Sequence, residues 1–163
     1  MIPRARLFAL SALSLSLVAN VARAAWPHDP FVNLRVAAVA SQQVPGAVMP
    51  DGAGGVFIVW RDSRGGNDDI YLQRLTAAGA VAGGWPVNGL LVCGAAGDQQ
   101  SEVMVSDGAG GVIVAWRDQR FGFNGEIFAQ RVSGGGAIAP GWPVDGRLLS
   151  DGTAAKDQIG RRS

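Results

Sequence analysis

The chain has 163 residues, with 14 basic and 13 acidic side chains, 24 glycines, one His and one Cys. No basic face is available to neutralise phosphates, which argues against a nucleic-acid binder. A lone Cys93 rules out an internal disulfide, and a lone His28 outside any Cys cluster argues against a zinc site or a Ser-His-Asp triad.

Residues 1–24 read as a cleaved signal peptide. Arg4 and Arg6 form a short positive start, Leu7 to Ala19 is uncharged and apolar, and Ala22-Arg23-Ala24 offers small residues for cleavage before Ala25. An apolar helix of that length spans about 20 Å, short of a bilayer core of about 30 Å. After its removal 11 basic residues face 13 acidic ones, a net charge of −2. No later apolar run is long enough to span a membrane. The expected location is secreted, periplasmic or at the cell surface.

Residues 25–50 read as a partial repeat, holding the last strand of a preceding unit and the first strand of repeat 1. Two fuller units follow, 51–106 and 107–156. Asp51-Gly52-Ala53-Gly54-Gly55-Val56 recurs as Asp107 to Val112, and Trp60-Arg61-Asp62-Ser63-Arg64 as Trp116 to Arg120, both 56 residues on. One residue is inserted near Phe123. Ile70 to Leu75 then matches Ile127 to Val132, and Gly84-Trp85-Pro86-Val87 matches Gly141 to Val144, 57 residues on. Omitting Phe123, 51–93 and 107–150 share 24 identities in 43 aligned positions, which identifies a tandem repeat. Residues 157–163 read as the truncated start of a third unit.

Each unit predicts four strands separated by turn chemistry. In the second they fall near Glu102–Val105, Gly111–Arg117, Glu126–Val132 and Asp145–Leu149. Asp-Gly-Ala-Gly-Gly accepts positive φ between the first two. The second strand is apolar on both faces, with Val56, Ile58 and Trp60 on one and Phe57 and Val59 on the other, and so requires a cover on each side. The predicted fold class is all-β: two four-stranded antiparallel blades of an incomplete β-propeller. About 2.4 units do not close a ring of four to eight blades. The expectation is therefore self-association when the chain is expressed alone, or an origin in a longer gene.

The run Trp-Arg-Asp-x-Arg, a Gly-Asn turn, Ile-Tyr/Phe-x-Gln-Arg-Leu/Val and Trp-Pro-Val-x-Gly resembles tandem repeats of large secreted bacterial proteins. The resemblance, from Trp26 to Gln158, implies a β-propeller and no particular activity. The wider likeness is to sialidase-type propellers. Their Asp-box, Ser-x-Asp-x-Gly-x-Thr-Trp, is not met here, because Ser63 is followed by Arg64, Gly65, Gly66 and Asn67.

No catalytic constellation is expected. Asp62, Asp118, Asp69 and Glu126 could act as paired acids, but they recur once per unit. Repetition suits residues that hold each unit together, with Arg61, Arg64, Arg74, Arg117, Arg120 and Arg131 as partners. Trp60, Gln73, Trp85, Trp116, Gln130 and Trp142 belong to the same structural set. Trp26, Trp85 and Trp142 are expected to plug gaps between blades, and Cys93, matched by Ala37 and Ser150, to be a small packed side chain. Asp-Gly-Ala-Gly-Gly precedes a strand, so it is not a dinucleotide loop. No cofactor is expected. Calcium is the one candidate ion, with oxygen ligands from Asn67, Asp68 and Asp69, or from Asn124 and Glu126. The leading functional reading is a non-enzymatic scaffold or binding module for protein or glycan. The alternative is part of a larger secreted hydrolase.

Overall fold

A computed structural model describes residues 34–150. The proposed signal segment, Trp26, His28, Lys156 and the unit beginning at Asp157 lie outside them. The described chain forms eight strands: β1 (Gln43–Pro50), β2 (Val56–Asp62), β3 (Asp69–Leu75), β4 (Leu90–Cys93), β5 (Gln99–Ser106), β6 (Val112–Asp118), β7 (Glu126–Val132) and β8 (Arg147–Leu148). They make two antiparallel sheets of four, ordered β1-β2-β3-β4 and β5-β6-β7-β8, and no helix among the described residues. The sheets therefore run one strand ahead of the sequence units, because β5, at the end of 51–106, pairs with β6.

Local chemistry sets the turns. Asp51 closes the β1–β2 turn by accepting from the N–H groups of Ala53 and Gly55, both at 2.8 Å, and Asp107 repeats this with Ala109 and Gly111. This Asx-type bond gives the turn its direction before either strand pairs. Gly89 (φ 88°) and Gly146 (φ 87°) lie against the rings of Trp60 and Trp116, so close that a Cβ at either position would strike the indole. The β3–β4 and β7–β8 connections therefore need glycine for two reasons, positive φ and close approach.

The core lies between the sheets. Phe57, Val59, Ile70, Leu72 and Val92 of the first sheet pack against Val112, Val114, Trp116, Phe128 and Val132 of the second, all buried. The two copies contribute opposite faces. On β2 the odd positions Phe57 and Val59 are fully buried, while Val56 and Ile58 are half-buried. On β6 the even positions Val112, Val114 and Trp116 are buried, while Ile113 and Ala115 are half-buried. Equivalent strands thus present opposite sides to one shared core, as identical units stacked in the same direction must. Trp60 and Trp116 are both buried, as their place on the apolar second strand predicts.

Candidate functional site

The repeated polar residues form a clamp at the end of each second strand. Asp62 is fully buried. It accepts from Trp60 Nε1 at 3.2 Å, from the Arg64 backbone N–H at 3.0 Å and from Ser41 Oγ at 2.6 Å, and pairs with the Arg64 guanidinium. The second copy repeats it: Asp118 accepts from Trp116 Nε1 at 2.8 Å, from the Arg120 N–H at 3.0 Å and from Arg120 Nη2 at 2.7 Å. Each arginine also stacks 3.9 Å over an aromatic ring of the third strand, Tyr71 or Phe128. Each donates to the fourth-strand loop as well, at Asn88 O and Asp145 O. Burial alone would raise these carboxyls. The donors outweigh it and hold both below the ordinary carboxylate range, Asp62 well below it. The clamp residues alternate at i, i+2 and i+4, so the end of one strand and the turn after it assemble the clamp in either copy.

A second pair of clamps joins the first turn to the third strand. Arg74 donates to Asp51 Oδ2 from Nε at 3.0 Å and Nη2 at 2.8 Å, and Arg131 donates to Asp107 at 2.9 Å. The sequence pointed to the β-strand acids as partners of these arginines. The turn aspartates take that place, because register sets Arg74 opposite Phe57, beside the turn. Gln73 and Gln130, both fully buried, donate to the carbonyls of Pro86 and Pro143 at 2.7 Å and pin the Trp-Pro loops. Trp85 is buried against Phe57 and donates to Gly134 O of the second sheet at 3.0 Å, so it does fill the gap between sheets. Trp142 is half-buried under Arg147. Arg117 turns to the carbonyls of Phe123 and Asn124.

Cys93 is fully buried and free, with Arg120 Nη2 3.2 Å from its sulfur. Burial pushes its thiol up to about 12, which keeps it protonated and unreactive. It packs at the seam where β4 meets the Asp118 clamp.

The calcium candidates do not form one group. Asn67 Nδ2 donates to Asp69 Oδ1 at 2.9 Å and to the carbonyls of Ala95 and Gly97 at 3.2 and 2.7 Å, so an amide nitrogen occupies the point where those oxygens converge. Asp68 pairs instead with Arg61 at 3.3 Å. In the second copy the Asn124 carbonyl accepts from Arg117. Burial raises the Asp69 carboxyl. Among the described residues, no three His, Cys, Asp or Glu side chains converge as metal ligands would.

Two features belong to one copy only. Glu102, with a side chain 3 % exposed, lies 3.4 Å from Arg61 Nε of the first sheet, and Arg61 also holds Asp68. Its counterpart in repeat 1 is Gly46, and a Cβ at Gly46 would collide with the Glu102 carboxyl. The register of β5 slips between Gln100 and Val103, with Ser101 at φ 58°, and this bulge turns Glu102 inward. Pro45, Gly46, Arg61, Gln100, Ser101 and Glu102 line an open cleft of about 320 Å³. Burial raises the Glu102 carboxyl. The other feature is the β6–β7 loop, where Phe121 and Phe123 stand strongly exposed. The sequence signal for both was present: an acid where the other copy has glycine, and two aromatics in a turn that is otherwise Gly and Asn.

Compared with family models, with curated proteins and with solved structures, the chain matches none of them.

Proposed function

We propose that the chain is an exported, β-propeller-like repeat module acting as a non-enzymatic scaffold or as a binding module for protein or glycan. The observation that carries this reading is the commitment of the repeated ionisable groups. Asp51, Asp62, Asp107 and Asp118 each bind an arginine and backbone or side-chain donors of their own sheet. Groups used in that way hold blades together: Asp51, Asp62 and Asp118 each accept at least four hydrogen bonds and Asp107 three, which leaves little capacity for proton transfer. Four-stranded antiparallel sheets stacked face to face, from units of about 57 residues, support the propeller-like architecture.

The binding face on this reading is the loop of Phe121 and Phe123: Phe123 is exposed on all sides and Phe121, with one side against Phe128, keeps most of its ring in solvent to stack on a sugar or fill a partner's pocket. The test is a glycan array and a secretome capture experiment with the whole secreted chain, beside a Phe121→Ser/Phe123→Ser variant. Binding that is lost in the variant, while its melting temperature is kept, supports the proposal. Equal capture by both chains overturns the assignment of that loop.

One observation favours the hydrolase alternative. Glu102 is a carboxyl raised by burial and facing a cleft, the environment that makes a general acid. A panel of chromogenic glycosides decides between the readings. The scaffold reading expects no turnover, whereas turnover abolished by Glu102→Gln would establish the alternative.

A further inference from the structure

The two outer sheet faces are, position for position, the counterparts of the two inner ones. On the outside of the second sheet stand Val103, Val105, Ile113, Ile127 and Leu149. Val103 and Val105 are each 59 % exposed, Ile127 45 % and Leu149 58 %. Register fixes their common side: Val103 faces Ala115, Val105 faces Ile113, and Arg117 faces Ile127. Their counterparts in the first sheet are Ala47, Met49, Phe57, Ile70 and Val92. Those residues are buried in, or packed on, the core between the sheets. The reverse holds on the outside of the first sheet. There Val48 is 66 % exposed and Val56 and Ile58 are half-buried, while their counterparts Met104, Val112 and Val114 lie in or against the core.

We infer that the outer face of the second sheet is a docking surface for the outer face of the first sheet of another copy of this chain. The occupant is set by the internal interface, which displays the same two faces already packed together. The directional bonds point the same way. Arg74 Nη1 and Trp85 Nε1 both donate across that interface to Gly134 O at 3.0 Å. Their counterparts Arg131 and Trp142 are more exposed, with an Arg131 side chain 37 % exposed against 24 % for Arg74. The carbonyl that would receive them is Ala77 O, the counterpart of Gly134 O, on the first sheet of the incoming copy.

The contact is head-to-tail, with different faces on the two copies, so it closes into a ring only if its rotation allows and otherwise extends. Two details make it weaker than the internal interface. Arg147 stands where the first sheet has Leu90, which packs on the core. And residues 34–38 already lie along the outer first sheet, with Ala38 N–H donating to Asn88 Oδ1 at 3.0 Å just as Gly94 N–H donates to Asp145 Oδ1 at 3.0 Å. On docking, Arg147–Leu149 of one copy and Leu34–Val36 of the other meet at one strand position. β8 has only two residues, both exposed, and is the segment that yields. This inference rests on the sheet faces and not on the proposed ligand-binding role, so either can fail alone.

Sedimentation velocity on the whole secreted chain tests it, using the parent, Val48→Lys, Val103→Lys and an equimolar mixture of the two variants. The expected result is concentration-dependent association of the parent and monomers for each variant alone. The mixture should form a one-to-one dimer, because each variant keeps the face the other has lost. A parent that stays monomeric well above the micromolar range overturns the inference, whether a terminal segment or solvent covers the faces. Association that survives Val48→Lys, or variants that fail to recover on mixing, overturns it by showing a different interface. Each variant's melting temperature separates lost docking from lost folding.

Discussion

The two sheets are near copies, and the instructive comparison is between what both keep and what only one has. Both keep the Trp-x-Asp-x-Arg clamp, the Asp–Arg bridge from turn to third strand and the Gln that pins the Trp-Pro loop. Everything kept twice is explained by holding one sheet and seating it on the next. Glu102, Phe121 and Phe123 occur once, and they are the residues set on a cleft or in solvent. In a repeat architecture, duplication marks the scaffold and asymmetry marks the places where a partner or substrate is to be sought.

The largest difference between the copies is expected at the tryptophans. Trp116→Ala removes a large side chain from the shared core and should cost about 3–5 kcal/mol in denaturant unfolding. Trp60→Ala, on the half-covered outer face, should cost measurably less. Equal losses would show that the outer face of the first sheet is as fully covered as the core.

The clamps should be the next largest effect. Asp118→Asn leaves Arg120 facing a neutral amide and should cost about 1.5–3 kcal/mol, the range for hydrogen bonds to a charged group. Asp62→Asn should cost a similar amount, and a loss in one copy only would break the equivalence of the clamps.

Acid sharpens the same contrast. Asp51, Asp62, Asp107 and Asp118 titrate below their ordinary value near 3.8. The unfolded chain therefore takes up protons first as pH falls through about 4. The stability these groups supply is complete above that pH and is lost as pH drops toward their lowered folded values. Glu102 and Asp69 act in the opposite sense. Their raised carboxyls make stability increase slightly as pH falls from above the folded value to the unfolded one. Thermal melts from pH 7 to pH 2 should show a steep acid loss that becomes shallower in Asp62→Asn. Glu102→Gln should remove only a small feature above pH 4 and leave the steep acid loss in place. The smallest effect is expected in the exposed loop, where Phe123→Ser should stay within about 0.5 kcal/mol of the parent.

The sequence made the fold legible because strand and turn signals occur twice in register. The second strand's two apolar faces required a cover on each side, and Phe57 with Val114 supply one such contact across the sheets. The site was less legible. Arg74 was matched to strand acids because strand position alone does not reveal that the Asp51 turn folds back onto it. Glu102 was read only as a strand residue. Its partner Arg61 lies on the other sheet, and a pairing across stacked sheets depends on a bulge and on the space left by Gly46. The expected signal peptide and the residues read as the start of a third unit fall outside the described residues.

The central claim is that two like sheets share one core between opposite faces. Two single-tryptophan reporters test it most directly, one retaining Trp60 and the other Trp116, with the remaining tryptophans replaced by Phe. Followed through urea unfolding beside far-UV circular dichroism, a shared core predicts that in each reporter the fluorescence change coincides with the loss of sheet signal, in one transition with the same midpoint and slope. Moreover, Phe57→Ala in the first sheet should move the Trp116 midpoint as far as it moves that of Trp60. Separate midpoints, or a Trp116 curve indifferent to Phe57→Ala, would mean that each sheet folds by itself and would contradict the account.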